Sequence, residues 1–162
     1  VTDDAHKKRS DHLLIDERLI NATRERVHRR IVPQIQKVHQ FIVTRMERFL
    51  IGCYTAEDGG HFRAHRGNRT SGTAHRRFAV SINLNNDFEG GTLSFPEFGQ
   101  RQYKPDTGAA VVFSCSLLHM VAPVTAGRRY AFIPFLYDDA AAKIREANNP
   151  HLAEGLGAYQ AG

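Results

Sequence analysis

The sequence predicts one α+β domain, mainly β, in which a sandwich or jelly roll of short strands follows a helical support. Three observations lead there. The chain has 162 residues, 41% hydrophobic and 24% charged, an ordinary composition for one globular core. Between Leu13 and Thr44 the apolar residues recur mostly at three- and four-residue steps, the spacing of a helix. From Arg48 onward they fall into short runs punctuated by Gly, Pro, Asn and Asp, which reads as strands joined by turns. Helices that precede the strands, rather than alternating with them, favour a sandwich or jelly roll over a parallel sheet. The expected boundaries are a helical support over about 11–45, a β core over about 46–138, and a C-terminal helix and tail over 139–162.

In chain order, Asp16 or Asn21 supplies a helix start, and Pro33 interrupts the helical stretch by removing an N–H and crowding the preceding turn. Phe78, Val80, Ile82 and Leu84 alternate with Ala79, Ser81, Asn83 and Asn85, giving a strand with one apolar face and one small or polar face suited to a cavity. A turn over 86–91 follows, in which Gly90 and Gly91 supply positive backbone torsions. Further strands are expected over 92–95, 108–116, 119–124 and 128–138. Asp138 to Ala147 reads as a short surface helix, and the tail carries Gly155, Gly157 and Gly162.

Composition narrows the function classes. Cys53 and Cys115 are too few for a disulfide scaffold and lie in apolar segments, so both read as reduced core residues. No apolar run approaches the roughly 20 residues of a membrane span, and Val1 to Ser10 lacks the apolar stretch of a signal peptide, so a soluble, cytoplasmic protein without membrane association is expected. The chain opens on Val1 in a polar run, which leaves room for sequence upstream. Net charge is +5. The basic residues are densest at His6 to Arg9 and Arg24 to Arg30 and read as solvated faces. There is no zinc-finger spacing, basic heptad region or aromatic-interleaved basic motif, which argues against nucleic acid as a partner.

Nine histidines exceed what a neutral surface needs. His65 closes the stretch His61-Phe62-Arg63-Ala64-His65-Arg66-Gly67-Asn68 after Gly59-Gly60, and His119 opens an apolar strand with Arg129 ten residues beyond. Tyr54, Ile82-Asn83-Leu84-Asn85, Phe88-Glu89-Gly90-Gly91, Pro123-Val124 and Gly127-Arg128-Arg129-Tyr130 complete an ordered set from Arg48 to Asp138. Together these pieces resemble the iron(II)- and 2-oxoglutarate-dependent dioxygenases, in their prolyl 4-hydroxylase-like branch. The resemblance implies a double-stranded β-helix. It also implies a non-haem iron(II) site that uses dioxygen and 2-oxoglutarate.

On that resemblance His65 and His119 match the two imidazole ligands of a two-histidine, one-carboxylate site. Neutral imidazole binds metal near neutral pH with little proton displacement. Arg129 matches the guanidinium that receives the distant carboxylate of 2-oxoglutarate, a planar and bidentate partner for it. Tyr54 and Asn83 match positions that hydrogen-bond the cosubstrate. The departure lies at Gly67, where the family pattern His-x-Asp places its acid. Gly67 offers no ligand and leaves a space about the size of the lost carboxyl group.

Three readings meet at that space. In the first, chloride or bromide takes the iron position opened by Gly67, as in the radical halogenases the chain resembles there; a halide restores the charge lost with the acid. In the second, the protein is a hydroxylase inactivated or reprogrammed by loss of the acid. In the third, the barrel is a binding module. Arg66, Asn68 and Thr70 are neighbours in sequence that could hold a halide, although an ordinary polar loop explains them as well. His61 stands outside the metal shell that the resemblance implies. His75, Arg76 and Arg77 read as surface charge near the barrel mouth. Phe95, Phe113, Phe132 and Phe135 read as core. The substrate class stays broad, an amino-acyl or small molecule, because fold does not fix function.

Overall fold

The computed structural model describes residues 2, 3 and 5–149. The predicted tail over 150–162 lies outside the described residues. Strands β1 (Thr2–Asp3) and β2 (Lys7–Leu13) come first, then helices α1 (Glu17–Arg30) and α2 (Val32–His39). The β core runs β3 (Arg45–Glu47), β4 (Leu50–Thr55), β5 (His61–His65), β6 (Phe78–Asn83), β7 (Phe88–Gly90), β8 (Leu93–Ser94), β9 (Gln102–Tyr103), β10 (Ala110–Ser114), β11 (His119–Val121), β12 (Val124–Phe132) and β13 (Phe135–Tyr137). Helix α3 (Asp139–Asn148) follows. Every strand pairing is antiparallel. The result is the mainly β, curled architecture that the sequence predicts.

Two walls make up the curl. One runs β3-β13-β6-β12-β4-β2 and the other β2-β5-β11-β8-β9. The seam is β2: Ser10 to Leu13 pair with β4, whereas Lys7 and Lys8 pair with β5. Tyr54, Phe88, Phe113, Cys115 and Val121 fill one buried cluster. A second cluster joins Val27 of α1 and Ile35 of α2 to Phe78, Val80, Phe132 and Leu136 on the sheet. The helices are therefore fixed by apolar burial against the larger wall, the usual source of stability for an amphipathic helix.

Several boundaries move. The helical support predicted over 11–45 begins only at Glu17, because residues 11–13 extend β2 along β4. Leu13 and Ile15, which fit the helical spacing, are 70% and 90% exposed. Asp16 is the N-cap, accepting from the backbone N–H of Arg18 and Leu19 at 2.8 and 3.3 Å. Pro33 sits in the first turn of α2, where its missing N–H costs nothing. The chain leaves the helix at Gln40, in the left-handed region, so the apolar residues up to Thr44 are irregular. The strand predicted over 128–138 divides at Pro134, which cannot donate to a ladder. Gly90 and Gly91 take φ of 69° and 60°. Asp138 caps α3 through the N–H of Ala141 at 2.9 Å. Cys53 and Cys115 are buried free thiols, and no helix among the described residues is long and apolar enough to cross a membrane.

Candidate active site

The antiparallel registers bring the predicted residues together in two groups. In the first, Arg129 of β12 faces Tyr54 of β4, and Ala131 two residues on faces Asn83 of β6. Alternation along β12 thus places Arg129 beside the polar face of β6. Its guanidinium is 2% exposed. Nε donates to Asn83 Oδ1 at 3.0 Å and Nη2 to Ser81 Oγ at 2.9 Å, while Nη1 is buried without a partner. The guanidinium carbon stands 5.2 Å from the centre of the Tyr54 ring. Burial lowers the Arg129 pKa, with Tyr54 working against that shift.

An unpaired buried donor costs about 1–3 kcal/mol, more when charged. A carboxylate arriving at Nη1 would remove that cost, so these residues fit the distant carboxylate of 2-oxoglutarate. Asn83 is committed differently from the sequence expectation. Its amide nitrogen donates to the Pro105 carbonyl at 2.9 Å and its oxygen receives Arg129. Ser81, which sequence reasoning did not single out as a site residue, holds the other side of the guanidinium. The alternating polar face of β6 was the signal for it.

In the second group, His65 of β5 and His119 of β11 are cross-strand partners with ring centres 4.2 Å apart. The Nδ1 of His65 lies 2.7 Å from the Arg63 carbonyl, and that of His119 lies 3.1 Å from the Leu117 carbonyl. A carbonyl only accepts, so each Nδ1 carries the hydrogen and each Nε2 keeps a lone pair. Phe62 stacks on His65 at 3.6 Å, and Phe113 lies 4.6 Å from His119. Burial, then the neighbouring His119, press the His65 pKa down to about 4. Burial lowers His119 as well, partly offset by the Leu117 carbonyl. Both rings are thereby kept neutral, the form that binds metal.

No group of three or more His, Cys, Asp or Glu side chains among the described residues is arranged to hold a metal ion. The two rings present their Nε2 atoms as the pair of imidazole ligands that the sequence resemblance implies. At Gly67 a Cβ would meet Cys115 Cβ at 3.4 Å, Cys115 Sγ at 3.5 Å and Phe135 Cε1 at 3.6 Å, ordinary contacts on an unstrained backbone. A Cβ therefore fits there. Burial pushes the Cys115 thiol up to about 12, so it stays protonated and offers no anionic ligand.

The remaining expectations divide, the polar-loop reading of Arg66, Asn68 and Thr70 holding and the surface reading of His75, Arg76 and Arg9 failing. Arg66 is spent on Glu97 and the Ser116 carbonyl, Asn68 on Ser116 Oγ, and Thr70 on Thr73, so loop structure accounts for all three. His75 is not surface charge: it is 2% exposed and pairs with Glu47 at 2.9 Å. Arg76 joins the same carboxylate at 2.7 Å and covers the Phe135 ring at 4.0 Å. His61 is tied to the Gly59 carbonyl. Arg9, read as part of a solvated basic run, is 7% exposed and enters the site from β2. Its pairing with β4 depends on contacts distant in sequence and leaves no local signal.

Comparison with known proteins bears on the family and the fold. The family model for the 2OG-Fe(II) oxygenase superfamily matches residues 49–137. A PKHD-type hydroxylase from Synechococcus sp. is 27% identical over 125 residues, covering 64% of this chain and 55% of the relative. One from Pseudomonas fluorescens is 40% identical over 91 residues, covering 51% and 39%. The chain thus spans about half the length, or less, of these curated relatives. Among solved structures, a Trichoplax adhaerens prolyl hydroxylase in complex with a hypoxia inducible factor peptide superposes with a TM-score of 0.70 at 21% identity, over 91% of this chain and 69% of that one. A Pseudomonas putida prolyl-4-hydroxylase gives 0.61 at 16% identity, over 83% and 74%.

Proposed function

This chain belongs to the 2OG-Fe(II) oxygenase superfamily, and on that premise we propose that it is a prolyl hydroxylase-like oxygenase acting on an unactivated aliphatic C–H bond of an amino-acyl or small-molecule substrate. The observation that carries this reading is the buried, unpartnered Nη1 of Arg129. A buried donor left unpaired on a guanidinium held from two sides is pre-organised for a carboxylate. His65 and His119 would hold the metal through their free Nε2 atoms, with Phe62 and Phe113 shielding the rings. When bound, iron(II) would supply dioxygen activation coupled to oxidative decarboxylation of 2-oxoglutarate to succinate and carbon dioxide. Arg129 and Tyr54 bind and orient the cosubstrate, and Asn83 and Ser81 keep Arg129 in place.

Position 67 decides between hydroxylation and a second reading. The corner that an acid would occupy is bounded by the Cys115 thiol and the Phe135 ring edge, and the second reading puts chloride or bromide there in place of the acid. Gly67→Asp tests the choice, because the added Cβ is accommodated. Under the hydroxylase reading the variant binds iron(II) roughly tenfold or more tighter, on the scale by which metal-site partners matter, and releases more succinate. If neither quantity rises, that reading is overturned. A halide-dependent mass gain on substrate with the unaltered protein, seen by mass spectrometry in chloride or bromide, establishes the second reading instead.

A further inference from the structure

Arg9 lies where β2 changes partner, between Lys8, which pairs with His61 of β5, and Ser10, which pairs with Cys53 of β4. Its guanidinium is gripped on one edge by Asp11, with Nε donating to Oδ1 and Nη2 to Oδ2 at 2.9 Å. The remaining nitrogen, Nη1, donates to the Tyr54 hydroxyl at 3.3 Å. The guanidinium carbon stands 5.7 Å from the ring centres of both Tyr54 and Phe62. Gly52 on β4 leaves space for the Arg9 stem, since a Cβ there would fall 2.7 Å from Arg9 Cδ.

A guanidinium can donate and never accept, whereas a phenol can do either. With Arg9 donating to it, the Tyr54 oxygen acts as acceptor on that side and its own hydrogen is turned elsewhere. We propose that Arg9 is a positioning residue for cosubstrate binding: by donating to Tyr54 it commits the hydroxyl to donate to a carboxylate held beside Arg129. The inference rests on the 2-oxoglutarate reading above. Asp11 serves this arrangement by fixing the guanidinium in a bidentate grip, so that little side-chain freedom is lost when the pocket fills.

A double-mutant cycle on 2-oxoglutarate affinity, read by isothermal titration calorimetry on the full chain, tests it. Arg9→Met is combined with Asp11→Asn so that the carboxylate gripping the guanidinium is removed together with it. Tyr54→Phe is expected to weaken binding about tenfold, and the Arg9→Met/Asp11→Asn pair about fivefold, the scale of one hydrogen bond. In the Tyr54→Phe background the same pair should cost less than about twofold, because its effect passes through the missing hydroxyl. Equal losses in both backgrounds, or no loss in either, overturn the proposal. Gly52→Ala, which crowds the Arg9 stem without removing a polar group, should weaken binding in the same direction, and Arg9→Lys should retain most of it. Those two carry the test if the paired variant does not fold; unchanged affinity in Gly52→Ala then counts against it. Absence of 2-oxoglutarate binding by the unaltered protein sinks the cosubstrate reading itself, whereas binding without coupling sinks only the role of Arg9.

Discussion

The two ends of the site are built to different degrees of completion. At the Arg129 end, each polar side chain has its orientation fixed by another, and one donor is kept for a ligand. At the histidine end two rings present free nitrogens, but the third protein position is a glycine bounded by a thiol and a phenyl edge. On the proposed function the closed end would specify its ligand by charge and shape, and the open end would supply only part of a metal's surroundings. Cosubstrate recognition and completion of the metal site would then be separable.

The largest expected effect separates them outright. Arg129→Met should weaken 2-oxoglutarate binding on the order of a hundredfold, the worth of a charge-assisted carboxylate contact, while metal affinity, measured by titration, changes little. Comparable loss of both would show that the ends are not independent. His65→Ala is the converse and somewhat smaller: metal affinity should drop about tenfold or more, with 2-oxoglutarate affinity of the metal-free protein held within about twofold, as expected for distant sites that do not couple.

The smallest effect concerns the wall behind the open corner, where Arg76 covers Phe135 and shares Glu47 with His75. Burial raises the Glu47 pKa, but hydrogen bonds from Arg76 and His75 outweigh it and hold the carboxyl below its ordinary value of 4.5. Burial keeps His75 below 6.5, against the pull of Glu47. In both cases the unfolded chain binds the proton more readily, so stability rises with pH across these ranges. The His75 contribution is present above pH 6.5 and fades below it; that of Glu47 is present above pH 4.5 and fades below. Melting temperature should therefore hold steady above pH 6.5 and decline on acidification, with the part of the decline below pH 4.5 reduced in Glu47→Gln. A flat profile down to pH 4 in circular dichroism melts would remove this network from the account.

Much of this arrangement was legible in the chain because its signals are local. Alternation and turn residues mark the strand of Asn83, whereas the choice of Tyr54, His65, Asn83, His119 and Arg129 came from the family resemblance; the registers place Tyr54 and Asn83 with Arg129, and His65 with His119. The N-terminal strand was not legible: Lys7 to Leu13 reads Lys-Lys-Arg-Ser-Asp-His-Leu, with no apolar period to suggest a strand. What makes it one is the exposed edges of β4 and β5. Arg9 was missed for that reason, and His75 because its burial depends on Glu47 from another strand, 28 residues away in sequence. The Gly67 departure was visible at once, yet the thiol and ring that bound it are brought there only by folding.

The seam strand carries a final consequence. Side chains along a strand alternate between faces, so a slip of one place in β2 would bring Lys8 or Ser10 to the inward position of Arg9, and a slip of two would bring Lys7 or Asp11. A carboxylate at that point would oppose the anion proposed to bind beside Arg129, and a serine would leave the position uncharged. Zipping that first strand into the correct alignment therefore sets the charge that β2 contributes to the interior as well as its shape.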